Sequence, residues 1–167
     1  MSYAGRHNSV KGYDSLKDAV LPMLDRNANM WMIVAGKEGP LPSPSHERWI
    51  EVGWTSDPHS LIAASDVFIL PNRETFFDLI MLEVLSLGVP IVATDTGGNR
   101  YFRKFENVGI KLYSDSDGLA ASVSAIREMS PSERQILRES NKALFALEFG
   151  CVPFAKRYSA LIGGLCG

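Results

Sequence analysis

Short apolar runs alternate with helical patterns along the whole of this 167-residue sequence. Two of the runs, residues 32–35 and 67–70, are continuously apolar, which is typical of strands that are covered on both faces. Strands that alternate with helices form right-handed βαβ units. We therefore predict an α/β fold, a doubly wound, Rossmann-like parallel sheet of about six strands with helices on both faces. The predicted strands cover residues 3–5, 30–35, 49–53, 66–70, 90–94 and 108–113.

Helical spacing predicts the elements between these strands. The first helix starts near Asp14 and Ser15, which can cap it, and Pro22 predicts a kink or an early end. Gly88 and Gly150 end two of the later helices. Residues 37–47 are predicted to form a surface loop rather than a domain boundary, so that residues 1–167 make a single domain. The other helices are predicted over residues 60–65, 78–87, 116–129, 131–148 and 153–161.

The charge and the cysteine content exclude several classes of protein. Lys and Arg number 17 against 19 Asp and Glu, a net charge of −2, so the chain has no basic surface for nucleic acid. Two cysteines cannot make a disulfide scaffold or a cysteine-rich zinc site. Cys151 and Cys166 could pair with each other, but we favour buried, reduced thiols. No apolar stretch approaches the roughly 18 residues of a membrane-spanning helix.

The loops that follow the strands are the candidate ligand sites, because ligands bind beyond the carboxyl ends of an open parallel sheet. The loop after the first strand carries Arg6 and Lys11 between Gly5 and Gly12, and a helix follows it. Glycine lets the backbone approach a ligand, and the cations and the helix N-terminus favour an anion. A solvated basic loop is an equally good interpretation of these residues alone.

Two further loops leave similar alternatives open. Trp54 directly follows a strand and can stack on a base or cover the core, and the residue alone favours the core. Gly97 and Gly98 offer backbone donors to a phosphate or carboxylate, or simply form a tight turn. The glycine-rich residues 36–40 indicate a ligand only weakly.

Glu83 is the only charged residue between Leu79 and Leu87. The helix predicted there is apolar on nearly all sides, so we expect it to be buried. A buried carboxylate without a partner is costly. Glu83 therefore has either a partner within the protein or a role in binding ligand hydroxyls, and we favour the second interpretation.

Taken in order, these motifs resemble the nucleotide-binding half of retaining GT-B glycosyltransferases of the family-four, group 1 type. The resemblance covers most of the chain. Its strongest part is residues 77–93, FDLIMLEVLSLGVPIVA, against the family pattern F-G-L-x-x-L-E-A-x-A-x-G-x-P-V-V-A. The supporting matches are Gly5-Arg6 with Lys11-Gly12, residues 64–71 and Thr96-Gly97-Gly98.

The resemblance implies a role for each matching residue. Arg6 and Lys11 would neutralise the departing diphosphate of a nucleotide-sugar donor, and Glu83 would hold the ribose hydroxyls. The family's first glutamate falls at Thr75, with Glu74 displaced by one position, so either residue would contact the donor sugar. Arg6, Lys11 and Glu74 are the expected catalytic residues. The expected donor-binding residues are Gly5, Trp54, Thr75, Phe77, Asp78, Leu79, Glu83, Gly97 and Gly98.

Two other departures from the family pattern affect the expected site. Asp78 replaces a glycine beside the phosphate, and its charge would oppose binding unless it turns away or pairs with a cation such as Arg73. Tyr101 stands where the family has an acid after its paired glycines.

The resemblance also implies an activity. The full enzyme would transfer a hexosyl group from a UDP- or GDP-sugar to a glycan or lipid-linked acceptor in cell-surface polysaccharide synthesis, without a metal or another cofactor. It would be cytoplasmic and would associate peripherally with the inner face of the membrane. The acceptor-binding N-terminal domain would be absent here, leaving an inactive domain with Phe154, Tyr158 and Leu161 exposed.

Two alternatives to this activity stay open. One is the corresponding half of a nucleotide-sugar epimerase with the GT-B fold. The other is a noncatalytic flavodoxin-like regulatory module, which calls for an acidic cluster after the first strand, where this chain has Arg6.

Overall fold

A computed structural model describes residues 1–165 of the chain. Six strands form one sheet in the order β3-β2-β1-β4-β5-β6, and every neighbouring pair is parallel. The predicted doubly wound parallel sheet is therefore confirmed. The strands are β1 (Ser2–Ala4), β2 (Met32–Ala35), β3 (Trp49–Gly53), β4 (Phe68–Leu70), β5 (Ile91–Thr94) and β6 (Ile110–Tyr113).

Helices cover both faces of the sheet, with α1 against α4 on one face and α3 against α2 and α5 on the other. A 3₁₀ segment, Gly97–Lys104, follows β5, and a π-helical segment, Phe145–Phe149, follows α5. The helices are α1 (Tyr13–Arg26), α2 (Pro58–Ala63), α3 (Leu79–Leu87), α4 (Ser116–Glu128), α5 (Pro131–Leu144) and α6 (Cys151–Leu165).

The central strands contribute to two apolar cores, one on each face of the sheet. In β4, Ile69 packs into the core beneath α1 and α4, whereas Phe68 and Leu70 pack into the core beneath α3. In β5, Val92 packs into the core beneath α1 and α4, whereas its neighbour Ile91 packs into the core beneath α3. This alternation explains why both runs are continuously apolar, since neither face of these strands meets water.

The start and the length of α1 differ from the prediction. Its N-cap is Gly12, in the left-handed conformation with φ of 66°, and neither Asp14 nor Ser15 caps it. The helix continues through Pro22 to Arg26, so the predicted early end is wrong. The reason is burial on both sides of the exposed proline, where Val20 and Leu24 are fully buried. Packing of this face outweighs the backbone hydrogen bond that the proline lacks.

The C-terminal helix α6 lies largely in solvent. Phe154, Tyr158 and Leu161 are 64%, 56% and 64% exposed, as expected. Cys151 is a free thiol and is exposed, so its predicted burial is wrong, because α6 packs mainly against the π-helical segment before it. Cys166 lies outside the described residues. None of the helices described in residues 1–165 is long and apolar enough to cross a membrane.

Candidate functional site

The order of the strands places the candidate site at the centre of the sheet. The chain winds outward in opposite directions from β1 and β4, which are neighbours, and ligands bind at such a switch point. The loops after β1, β4 and β5 enclose a cleft of about 580 Å³ there. We call it the central cleft. It is lined by Val10, Lys11, Glu74, Thr75, Phe76, Phe77, Asp78, Thr96 and Gly97.

Two of these loops are held in direct contact. A Cβ atom at Gly12 would lie 1.8 Å from the carbonyl oxygen of Pro71, so only glycine allows this approach. The Arg73 amide donates to the Val10 carbonyl at 3.0 Å, and the Lys11 amide donates to Asn8 Oδ1 at 2.8 Å. The loop after β1 is therefore fixed against the loop after β4, and Lys11 is held at the cleft.

Lys11 forms an ion pair with Asp78 across the cleft. The Lys11 Nζ lies 3.0 and 3.3 Å from the two carboxylate oxygens of Asp78. Asp78 thus pairs with a cation, as expected, but the cation is Lys11 and not Arg73, which turns towards α1 and pairs with Asp14 at 2.7 Å. An anion that binds here has to compete with Asp78 for the lysine.

The paired glycines hold the other wall of the central cleft. Cβ atoms at Gly97 and Gly98 would lie 1.8 Å from the carbonyl oxygens of Thr75 and Phe76, and the Gly98 amide donates to Thr75 at 3.2 Å. The two glycines therefore form a tight turn, and this turn packs against the segment that carries Glu74. The exposed Glu74 and the half-buried Thr75 both line the cleft. Either residue is therefore placed to contact a donor sugar.

Glu83 and Trp54 are placed differently from the expectations drawn from the residues alone. The Glu83 side chain is 43% exposed and has a protein partner, His59, whose Nε2 lies 3.2 Å from its carboxylate. Helix α3 is not buried all round, since Leu79 is 69% exposed. Trp54 is 77% exposed, so it does not cover the core. Both Glu83 and Trp54 lie outside the lining of the central cleft.

Arg6 lies on the surface of the loop that follows β1. Its backbone carbonyl accepts a hydrogen bond from the Tyr3 hydroxyl at 2.8 Å, while its side chain is exposed. Within residues 1–165 the Arg6 guanidinium has no acidic partner. Gly5 lies beside it and donates its amide to Ala35 at 2.9 Å. Arg6 therefore lies outside the lining of the central cleft, and its guanidinium is free to bind an anionic ligand.

A buried cluster beneath this loop escaped the sequence-based prediction. His7 is 1% exposed, and its ring stacks on Tyr13 with centroids 4.0 Å apart. Its Nε2 lies 3.5 Å from Glu51, which also accepts hydrogen bonds from the Tyr13 hydroxyl at 2.6 Å and from Trp49 Nε1 at 2.7 Å. Burial lowers the pKa of His7. The only signal in the sequence was a histidine between the two loop cations.

Tyr101, at the position of the family's acid, belongs to an aromatic cluster instead. Its ring meets Phe77 edge-on at 6.2 Å and Phe105 at 5.8 Å, and Lys104 Nζ lies 3.9 Å from its centroid. Phe77 also stacks on Phe102 at 5.8 Å. The cluster anchors the Phe77 end of the cleft wall. Among the described residues no group of three His, Cys, Asp or Glu side chains is placed to share a metal ion.

The fold is that of one half of a GT-B glycosyltransferase. HepE of Anabaena, solved in complex with UDP, superposes with a TM-score of 0.82 at 18% identity, over 98% of this chain and 48% of HepE. The pneumococcal O-GlcNAc transferase GtfA, solved with UDP and GlcNAc, gives a TM-score of 0.72 at 16% identity, over 99% of this chain and 35% of GtfA.

Sequence comparison identifies the family. Residues 1–129 match the family described as glycosyl transferases group 1. The chain therefore belongs to the group 1 glycosyltransferases, as its motifs predicted. A lipopolysaccharide core biosynthesis mannosyltransferase, LpsB of Rhizobium meliloti, is 27% identical over 95% of this chain and 50% of its own length. The chain thus spans half of this relative.

A second relative matches a shorter stretch. It is the Escherichia coli UDP-Gal:alpha-D-GlcNAc-diphosphoundecaprenol alpha-1,3-galactosyltransferase, which is 35% identical over 40% of this chain and 17% of its own length. The family match favours a glycosyltransferase over the epimerase-like half and the flavodoxin-like module.

Proposed function

We propose that residues 1–167 form the donor nucleotide-binding domain of a retaining glycosyltransferase. The complete enzyme transfers a hexosyl group from a UDP- or GDP-sugar to a glycan or lipid-linked acceptor in cell-surface polysaccharide synthesis. The observation that carries the proposal is the central cleft at the switch point, with Lys11 at its wall and the free cation Arg6 on the same loop. The relatives named for lipopolysaccharide core and lipid-linked sugar transfer support the choice of pathway.

In this proposal the protein stabilises the leaving nucleoside diphosphate by positive charge. Lys11 exchanges its ion pair with Asp78 for a phosphate oxygen, and Arg6 adds a second cation, so that negative charge is balanced as the glycosidic bond breaks. Glu74 or Thr75 holds the donor sugar at the rim of the cleft. Glu83 holds the ribose hydroxyls after exchanging its exposed pairing with His59. The nucleotide-sugar is a substrate, and the reaction needs no cofactor.

The acceptor is bound by a second domain that completes the enzyme. The full-length protein works in the cytoplasm, where nucleotide-sugars are available, and meets a lipid-linked acceptor at the inner face of the membrane. We expect the 167-residue chain by itself to bind a nucleoside diphosphate weakly and to transfer no sugar. Sugar transfer by this chain alone, measured with a labelled UDP-sugar, would contradict the division of roles between two domains.

Calorimetric titration with UDP, GDP and ADP tests the donor-binding role. Arg6→Ala and Lys11→Ala should each weaken diphosphate binding by about 1.5–3 kcal/mol and leave binding of the parent nucleoside unchanged, since each removes a charge-assisted hydrogen bond. Glu83→Gln should instead weaken nucleoside and diphosphate binding alike. Lys17→Ala is the matched control, because Lys17 donates to the Pro42 carbonyl and lies in α1, outside both the central cleft and the loop after β1.

Two outcomes would contradict the donor-binding role. One is the absence of binding by all three nucleoside diphosphates. The other is an equal loss of affinity in Lys17→Ala and Lys11→Ala, which would mean that general positive charge, rather than the cleft, attracts the nucleotide.

A further inference from the structure

A second cleft opens on the opposite side of the loop that joins β4 to α3. It has a volume of about 450 Å³ and lies at the carboxyl ends of β4, β5 and β6, between the N-terminal halves of α1 and α4. We call it the lateral cleft. Thr96 lines both clefts, whereas Arg73 lines the lateral cleft and not the central cleft. Its size falls within the range of about 300–1,000 Å³ that is usual for small-molecule sites.

The lateral cleft contains two buried polar side chains without partners. Asn72 is fully buried, and neither its Oδ1 nor its Nδ2 has a hydrogen-bond partner within residues 1–165. Tyr113 is 7% exposed, and its hydroxyl is likewise unpaired in that part of the chain. Both residues line the cleft. An unpaired buried polar group costs about 1–3 kcal/mol, so two of them at one cleft indicate groups kept for a ligand.

The charges around the lateral cleft are already balanced. Arg73 pairs with Asp14 at 2.7 Å, and Arg103 and Arg100 both pair with Asp95, whose buried Oδ1 accepts no hydrogen bond within residues 1–165. At the N-terminus of α4, Asp115 accepts a hydrogen bond from the Gly118 amide at 2.7 Å and so occupies the position that an anion would take. A phosphate would therefore meet carboxylates, and the lateral cleft favours a neutral ligand.

The remaining lining of the lateral cleft consists of three apolar side chains and five serine and threonine side chains. Ala19, Pro71 and Leu119 contribute apolar surface beside the two unpaired groups. The amide of Asn72 can donate and accept at once, and burial raises the pKa of Tyr113, so that its hydroxyl stays protonated and can donate. Neutral donors and acceptors next to aliphatic carbon match the hydroxyl groups and C–H faces of a sugar ring.

We propose that the lateral cleft binds a neutral sugar residue through the side-chain amide of Asn72 and the hydroxyl of Tyr113. The proposed sugar site is separate from the central cleft. Failure of nucleoside diphosphates to bind in the central cleft would therefore not contradict it. A sugar in the lateral cleft would contact the start of the loop that carries Glu74, the wall of the central cleft.

Amide NMR spectra of the ¹⁵N-labelled chain test the proposal. The probes are the methyl α-glycosides of glucose, mannose and galactose at millimolar concentrations, with inorganic phosphate as a separate arm. At least one glycoside should produce saturable shifts at the Asn72 side-chain amide and at residues 113–116, and UDP should not reverse them. Saturable shifts from phosphate alone would overturn the assigned ligand class. The absence of shifts with every glycoside would mean that the cleft holds only water.

Tyr113→Phe separates ligand binding from folding. It removes only the unpaired hydroxyl, so glycoside affinity should fall about 3–10-fold, as for one lost hydrogen bond, while the melting temperature holds or rises. Tyr158→Phe makes the same change on exposed α6 and should alter neither quantity. Asn72→Leu gives a second variant with the same branched shape and the same expected loss of affinity. Wild-type glycoside affinity in the folded Tyr113→Phe and Asn72→Leu variants would overturn the proposal.

Discussion

Asp78 and Lys11 put opposite charges next to each other in the lining of the central cleft. A diphosphate attracted by the lysine is repelled by the carboxylate, so the acid should weaken binding. We therefore predict that Asp78→Asn strengthens UDP binding by about 3–10-fold, because it releases Lys11 and removes a like charge from the phosphate. The measurement is a UDP titration of each variant beside the wild type.

Asp14→Asn is the matched control for Asp78→Asn. It removes the acid that pairs with Arg73 but does not line the central cleft, so UDP affinity should change little. Unchanged or weaker UDP binding by Asp78→Asn would show that the carboxylate does not face the phosphates.

His7 should make the stability of the chain depend on pH. Burial lowers its pKa in the folded state, outweighing the opposing effects of Glu51 and Glu38, and Lys17 lowers the pKa further. Below the unfolded value of about 6.5 the unfolded chain therefore binds more protons, and the free energy of unfolding falls as the pH falls towards the folded pKa.

His7→Phe should make that pH dependence shallower. Phenylalanine keeps the stacking on Tyr13 but cannot take up a proton, so up to about 1.4 kcal/mol per pH unit of slope should disappear below pH 6.5. Urea unfolding at a series of pH values measures the difference. If the free energy of unfolding changed with pH equally in the variant and the wild type, a group other than His7 would cause the pH dependence.

At the scale of an element, the loop between β4 and α3 depends on the paired glycines behind it. Gly97 has a φ of 45°, and a methyl group there would meet the Thr75 carbonyl at 1.8 Å. Gly97→Ala should therefore cost at least about 2 kcal/mol, roughly 4–8 °C in melting temperature for a chain of this size. It should also weaken UDP binding, because Thr75 lines the central cleft.

The same substitution in α6 provides the control. Gly163 has no atom within 4 Å of the added methyl group and lies in an exposed helix, so Gly163→Ala should leave the melting temperature unchanged or raise it slightly. Thermal melting of both variants measures the difference, and only Gly97→Ala should lower the melting temperature. An unaltered melting temperature for Gly97→Ala would mean that the loop moves away without cost.

At the scale of the whole molecule, α6 adds little to the stability of the described fold. Phe154 and Tyr158 stack on each other with centroids 6.1 Å apart and are largely exposed. Phe154→Ser should therefore change the free energy of unfolding by no more than about 0.5 kcal/mol. Leu85→Ala, at a fully buried position in α3, should cost about 2–5 kcal/mol. A large loss in Phe154→Ser would show that α6 packs on the rest of the chain.

The sequence by itself determined the parallel sheet and the family. Strands such as residues 67–70 carry their own signal, because burial on both faces requires continuous apolar residues, and the loop motifs depend only on local order. Lys11, Glu74 and Asp78 could be assigned to one site for the same reason, since the carboxyl ends of parallel strands meet at one edge.

Only the tertiary structure decided which side chains meet. Lys11 pairs with an acid 67 positions away, and Glu83 meets His59 from another helix, contacts that no local pattern encodes. Trp54 is exposed and His7 buried because exposure depends on what distant segments cover. The energy of an ion pair depends on the distance between its charges and on their burial. For residues far apart in the chain, both quantities are set only when the chain folds.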